Sequence, residues 1–410
     1  MKILHLADVH LGMENYGRID PSTGLHTRLQ DFIKCFRFVI DIALEEKVDL
    51  VLFAGDAYKN SFPNPTHQRE FACQINRLSN AQIPVVLVNG NHDNPVSFGK
   101  ATSLEIFNTL NVSGVKVVAN PELFNIKTKS GTIQIFALPW PTKSQYLVKE
   151  EYKNFTDKEI TGEIQKRVSK TIEEFAKKIK PGIPAIFVAH LAAKDAVYSG
   201  SEKSAIIGRD PVFATNILAQ HAFDYVALGH IHKFQDLNLQ NQPPVVYSGS
   251  IERMNFGEEK EDKGFCLVTI EKGKIDYEFI PVPAKRFITI DIIIEEEQNP
   301  TEAIVKEIEK YDLSGAVVRV FYTIPSEREE LLDFKKINAV LDSAFLVAAI
   351  TKKNKPVEKR KRTEISEDLT MSEAMEKYIQ NNPHLANIGE ELKNYALKLE
   401  DELEDNKHAP

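Results

Sequence analysis

Short apolar runs recur along the chain at residues 3–7, 50–54, 85–88, 185–189, 225–228 and 245–247. Each is nearly continuous in apolar residues, the pattern of strands covered on both faces. Amphipathic helical patterns fall between them at residues 31–46, 65–78, 103–110 and 161–178. Strands alternating with helices predict an α/β layered domain. Two stretches, "GTIQIFALPW" and "GFCLVTIEKGKIDYEFIPV", read instead as antiparallel sheet.

The texture changes near residues 281–283. "RFITIDIIIE", a helical "TEAIVKEIEKY", "GAVVRVFYTI", a helical "REELLDFKKINAVLD" and "FLVAAI" predict a small α+β domain over residues 281–351. The basic stretch "KKNKPVEKRKR", residues 352–362, reads as part of a solvated linker running to residue 370. Residues 371–404 look helical, divided by Asn382 and Pro383. Within them Leu385, Ile388, Leu392, Tyr395 and Leu399 follow at spacings of three and four, which makes one apolar stripe. The expected layout is therefore a large domain over 1–280, a small one over 281–351, a linker over 352–370 and partner-binding helices over 371–410.

Composition narrows the class. At 410 residues the chain can bury a sizeable core. No apolar run approaches the roughly 20 residues of a membrane span. Asp8 and His10 interrupt the first apolar run, which makes it a poor signal peptide. Cys35, Cys73 and Cys266 lie far apart with no ligand spacing and read as reduced core thiols of a cytoplasmic protein. A net charge of −8 argues against a protein that simply coats nucleic acid, yet leaves room for a local cationic site.

The chemistry sits just beyond the strand ends. Asp8 and His10 follow the first run, and Asp56 the second. Asn91, His92 and Asp93 follow the third, His190 the fourth, and His230 and His232 the fifth. In α/β sheets the carboxyl edge of the strands is where active sites form, so parallel strands would bring these groups together. A lone His or a lone "GD" reads as a satisfied polar residue or a turn. Five such turns selecting Asp, His, Asp, Asn, His and His-x-His point jointly to metal. Imidazole, carboxylate and amide without thiolate suit manganese, iron or zinc better than calcium or a soft ion. Seven ligands exceed one tetrahedral site and fit two ions that share a carboxylate. Gly55, Gly90 and Gly229, beside the ligands, allow close backbone approach.

In this order "DVH", "GD", "GNHD", the single His and "GHIH" resemble the calcineurin-like metallophosphoesterases, so the fold expected is their layered α/β sandwich. Within them, "MKILHLADVHLG", "LVLFAGDAY", "VNGNHDNP", "VALGHIHKFQ" and "VVYSGSIER" are similar to the SbcD family of nuclease subunits. The resemblance implies Asp8, His10 and His232 on one ion, Asn91, His190 and His230 on the other, and Asp56 between them. Both ions are expected to be divalent, manganese first among the choices. His92 would assist the leaving oxygen as acid, with Asp93 orienting its ring. The resemblance further implies DNA as substrate, a homodimer, an SbcC-type coiled-coil ATPase as partner, and no membrane. The expected activity is exonuclease and single-strand or hairpin endonuclease cleavage in DNA-end processing and double-strand-break repair. A small-molecule phosphodiesterase or phosphatase on the same site is the alternative.

One position departs from the pattern. Lys59 stands where many relatives carry a His associated with exonuclease action. It could contact phosphate but cannot readily copy an imidazole's acid–base role. "YSGSIER" offers Ser248 and Ser250 as contacts to the DNA backbone.

Overall fold

The computed structural model describes residues 1–95, 99–146, 153, 155–199, 210–271, 274–295, 298–353, 371–380, 385 and 388–406. The strands in the first part of the chain are β1 (Lys2–Leu6), β2 (Leu50–Phe53), β3 (Val85–Val88), β4 (Val115–Val118), β5 (Glu122–Thr128), β6 (Gly131–Leu138) and β7 (Ala185–His190). Next come β8 (Ala192–Ala193), β9 (Val212–Phe213), β10 (Tyr225–Gly229), β11 (Gln235–Asp236), β12 (Val245–Tyr247), β13 (Gly264–Glu271) and β14 (Lys274–Pro281). The helices among them include α1 (Thr27–Glu45), α2 (Pro65–Asn80), α3 (Glu105–Thr109), α4 (Lys143–Tyr146) and α5 (Asp157–Ala176).

Two six-stranded sheets form, in the orders β14-β13-β1-β2-β3-β4 and β11-β12-β10-β7-β6-β5. The centre of each is parallel: β1 to β4 in the first, and β6, β7, β10 and β12 in the second. Antiparallel strands complete both edges of the second sheet and the β13–β14 side of the first, whose other edge is the parallel β4. "GFCLVTIEKGKIDYEFIPV" forms the antiparallel pair its pattern predicts, whereas "GTIQIFALPW" is antiparallel to β5 only and parallel to β7 on its other side.

The continuous apolarity of the runs now has its cause. Ile3, Leu50, Leu52, Val86 and Val88 face Ile135, Ile186, Val188 and Ala227 between the two sheets. The alternate residues Leu4, Leu6, Val51, Phe53, Val85 and Leu87 pack outward under Phe32, Phe36 and Phe71 of α1 and α2. On the far side, Phe136, Phe187 and Val226 pack under Ile164, Val168 and Ile172 of α5. The result is a helix–sheet–sheet–helix sandwich in which every central strand has two buried faces. Each such side chain contributes about 1.5–3 kcal/mol on burial.

Caps set the helix starts. His26 accepts from Arg28 N before α1, and Asn64 accepts from His67 N before α2, with Pro65 at the first turn. A reciprocal Thr156–Glu159 capping box opens α5 four residues earlier than its apolar periodicity does.

Beyond Pro281 a third sheet, β15-β16-β17, is built from β15 (Phe287–Ile293), β16 (Val317–Thr323) and β17 (Leu346–Lys352). It is accompanied by helices Pro300–Ile308 and Phe334–Val340. The chain clusters into two compact units, residues 1–322 with 327–351, and residues 323–326 with 352–410. Most of the basic stretch 352–362 lies outside the described residues.

In the second unit helices Met371–Gln380 and Gly389–Asn406 pack on one another. Gly389 seats close to Ile379, and Lys393 pairs with Glu376. Of the expected stripe, Leu399 has its side chain outside the described residues. Leu385 and Ile388 precede the second helix, Leu392 is half-buried and Tyr395 is 66% exposed. Among the described residues no helix is long and apolar enough to cross a membrane.

Candidate metal centre

The five strand ends converge, and they do so from two sheets: β1, β2 and β3 in one, β7 and β10 in the other. Asp8, Asp56 and His190 are at most 1% exposed, and His10, His230 and His232 are buried with them. His10 Nε2 and His232 Nε2 stand 3.1 Å apart. Asp56 Oδ2 lies 3.6 Å from His10 Nε2 and 3.4 Å from His190 Nε2. Asn91 Oδ1 is 2.9 Å from His190 Nε2 and 3.2 Å from His230 Nδ1. The groups Asp8–His10–His232 and Asp8–Asp56–His190 each converge closely enough to hold one ion. Asp8 belongs to both of these groups, and Asp56 Oδ2 stands between the ring nitrogens of His10 and His190.

Backbone strain accompanies this convergence. Asp8, His10, Asp56 and His230 all adopt left-handed φ, at 53°, 47°, 59° and 102°. Such conformations cost on the order of 1–3 kcal/mol each and persist where the surroundings over-determine them. The glycines beside the ligands are sterically required. A Cβ on Gly90 would stand 2.1 Å from Asp56 Oδ1, one on Gly55 2.3 Å from His190 Nδ1, and one on Gly229 2.1 Å from Ala54 O.

Hydrogen bonds orient the rings. His190 Nδ1 donates to Ala54 O at 2.7 Å, which turns its Nε2 toward Asp56. His232 Nδ1 donates to Glu258 Oε1 at 2.9 Å, which leaves its Nε2 toward His10. Burial, reinforced by neighbouring imidazoles, pushes His10 and His230 well below the usual histidine range. Both rings thus stay neutral and keep lone pairs to offer. Burial raises Asp56, but His190 and His92 more than reverse this and hold its carboxyl well below the usual range. Burial disfavours charge on His190, yet Asp56 lifts it to about 9. Burial pushes Asp8 up to about 6 against the pull of His190 and His232. Buried anions facing convergent ring nitrogens, two of them 3.1 Å apart, fit divalent cations, which would compensate the carboxylates and take the lone pairs.

His92 is the exposed member, its side chain 45% accessible. Its backbone N donates to Asp56 Oδ1, and its Nε2 lies 4.0 Å from Asp56 Oδ2. The expectation that Asp93 orients this ring is corrected. His92 Nδ1 donates to the Lys59 carbonyl at 2.8 Å. Asp93 is fully buried and accepts from Asp56 N, Ala57 N and Gly90 N. It ties the Asp56 loop to the Gly90 turn, and its carboxylate has no reach left for the imidazole. Burial and the Asp56 charge push Asp93 up to about 7.

Ser248 and Ser250 are also corrected. Both are fully buried, and their hydroxyls donate to Gly249 O and Glu252 O, so neither can meet a DNA backbone at the surface. Lys59 is exposed, and the atom it brings to the site is its main-chain carbonyl.

Three residues of the site's surroundings escape the sequence reading. Glu258 and the buried Lys263 lie in "GEEKEDKGF", which looks like a solvated charge run. Trp140 packs its ring 4.8 Å from that of His230. It stands two residues past β6, which is parallel to β7, so the strand-end rule that finds His190 would have found it too.

The sandwich and its donor set define a class of phosphoesterase built around two divalent metals. Residues 1–234 match the calcineurin-like phosphoesterase family. The chain belongs to that family. Among solved structures it is similar to a dimetal phosphatase from Danio rerio, at 10% identity and a TM-score of 0.42, covering 68% of this chain and 95% of that one. It is also similar to TT1561 of Thermus thermophilus, at 12% identity and a TM-score of 0.38, covering 68% of this chain and 98% of that one.

Proposed function

We propose that this chain is a manganese-dependent DNA nuclease. It would hydrolyse phosphodiesters at or near DNA ends as a homodimer acting with an SbcC-type ATPase. The observation that carries the hydrolytic part is Asp56 Oδ2, placed between His10 and His190 with the half-exposed His92 beside it. Asp8, His10 and His232 would hold one divalent ion and Asn91, His190 and His230 the other, with Asp56 between the two sets, and such ions would supply Lewis acidity and charge neutralisation at a phosphoryl group. The chain's own residues do the rest. Asp56 Oδ1 is fixed by His92 N, which keeps Oδ2 for the ions. The Lys59 carbonyl holds His92 Nδ1–H, so Nε2 is the ring nitrogen left to pass a proton to the leaving oxygen.

The DNA part rests on the motif resemblance and on a groove of about 750 Å³ that starts at Asn91 and passes Trp140, Lys100 and Lys143. Trp140 offers an aromatic face on which a base can stack, while Lys100 and Lys143 share the lining with Glu105 and Asp210. The third sheet and the terminal helices, all beyond the family match at residues 1–234, are additions that a small-molecule phosphatase does not need. We assign the sheet to DNA guidance and the helices to docking of the ATPase.

The test compares turnover of bis(nitrophenyl) phosphate, nitrophenyl phosphate, and end-labelled duplex and hairpin DNA, with manganese or magnesium, with and without the ATPase. Cleavage of DNA with manganese, stimulated by the ATPase and ATP, is expected. Turnover of the small esters with intact DNA under every condition would favour the small-molecule reading.

A further inference from the structure

Glu258 sits on a short 3₁₀ turn, Phe256–Glu258, and is fully buried. One carboxylate oxygen accepts from His232 Nδ1 at 2.9 Å; the other accepts from Met254 N at 3.0 Å and meets Lys263 Nζ at 2.8 Å. Lys263 is itself buried and donates also to the His232 carbonyl and to Glu261 Oε2. His232 is thus gripped at both its ring and its main chain by one buried ion pair. A buried pair of this kind is often no more stabilising than apolar residues of similar volume. Stability alone therefore does not account for it, and the ring it holds supplies another role. A carboxylate on the far nitrogen of a metal-binding imidazole fixes its tautomer and raises its basicity.

The same turn is fastened to the third sheet. Phe256 packs edge-on against Phe287 of β15, ring centroids 4.9 Å apart, and Arg319 of β16 lies 4.2 Å from the centre of its ring. The next residue, Glu259, accepts from Thr289 N at 2.8 Å and from the Thr289 hydroxyl, which in turn accepts from Arg319 Nε. From β15 to His232 the path is one turn long: Thr289 to Glu259, Glu258 to the imidazole.

We propose that Glu258 is the positioning residue for His232, and that its turn makes the seating of the three-stranded sheet a determinant of one half of the metal centre. This rests on the two-metal reading above. The distant sheet would then tune metal affinity without contributing a ligand.

The test is calorimetric titration of the full chain with manganese alone, with melting temperature followed in parallel. Wild type should bind two equivalents; if it binds none, the two-metal reading itself fails. Glu258→Gln keeps size and an acceptor oxygen but removes the charge. It should weaken one equivalent by about 10–100-fold, the usual scale for outer-shell partners, and leave the other within about twofold. A Glu258→Leu/Lys263→Met double variant removes the whole charge pair. It should melt within a few degrees of wild type and show the same selective loss, which a purely structural role would not produce. Thr289→Val, remote from every ligand, should weaken the same equivalent severalfold. Two undiminished equivalents in Glu258→Gln, or equal weakening of both, would overturn the positioning role. Unchanged binding in Thr289→Val would overturn the link to the sheet.

Discussion

The two halves of the proposed centre are supported differently. His190 is oriented by a main-chain carbonyl, Ala54 O, just past β2 of the other sheet, and His230 lies against Trp140 just past β6. That half is made by the sandwich itself; wherever the strands pair correctly, its scaffold follows. His232, in the other half, is oriented by a side chain 26 residues further along, on a turn bound to a separate sheet. The difference teaches that one half of the site is a consequence of the family's core and the other is open to influence from what this chain adds to it.

Asp56 is where the comparison breaks most completely, because it belongs to both halves. Asp56→Ala should remove both ions at micromolar manganese while leaving the fold largely intact. With the Lewis acidity gone, several kcal/mol of barrier lowering are lost, at least ~10³-fold in rate. Elemental analysis of the purified variant checks this, and near-wild-type metal content would rule out the bridging assignment.

His92 belongs to neither half by the same reasoning, since Lys59 O and Asp56 Oδ1 hold it by its Nδ1 and its main chain. His92→Ala is expected to keep metal and DNA binding and to lose about 10²–10⁴-fold in cleavage, the usual scale for a general acid. Loss of metal along with activity would make His92 a ligand instead. That outcome has a physical basis, because His10, Asp56 and His92 also converge closely enough to hold an ion.

A smaller effect is expected from Gly90→Ala. The added methyl would meet Asp56 Oδ1 at 2.1 Å, so either the carboxylate or the turn must shift. Overpacking of this kind costs about 1–3 kcal/mol. Thermal melting should show that loss, and manganese titration should show both equivalents weakened, in contrast to the one-sided loss expected for Glu258→Gln. Selective weakening of a single equivalent would mean that Asp56 serves one half only.

What is legible in the sequence follows from the range of the interactions involved. Every proposed ligand stands within a few residues of a strand end, so period and punctuation suffice to place it: Asp8 past β1, Asp56 past β2, His190 at the end of β7. The Asp93 contacts are not legible, because adjacency to His92 in sequence is not contact. After the tight turn its carboxylate faces the backbone of the Asp56 loop instead. Ser248 and Ser250 mislead because a polar pair after a strand reads as surface, whereas β12 is an inner strand and both hydroxyls are spent on nearby carbonyls. Glu258 and Lys263 are invisible because their partners are each other and His232, and a charge run carries no sign of which members will be buried.

The smallest effect on the centre is expected from the region most remote from it in composition and in support. The paired helices Met371–Gln380 and Gly389–Asn406 belong to the chain's second compact unit, and no proposed ligand comes from that unit. Tyr378, Ile388 and Tyr395 are 44%, 45% and 66% exposed, which is a large apolar offering for so short a pair. An amphipathic helix laid against a partner's coiled coil is an established mode of recognition. Deleting residues 365–410 should therefore leave both manganese equivalents and hydrolysis of bis(nitrophenyl) phosphate within about twofold of wild type. It should abolish binding to the SbcC-type ATPase and any ATP-dependent cleavage of duplex ends. Co-purification of the shortened chain with the ATPase at undiminished affinity would rule out docking. Aggregation of the shortened chain would show instead that these helices cover apolar surface of the chain itself, because removing a docking segment exposes nothing of the core.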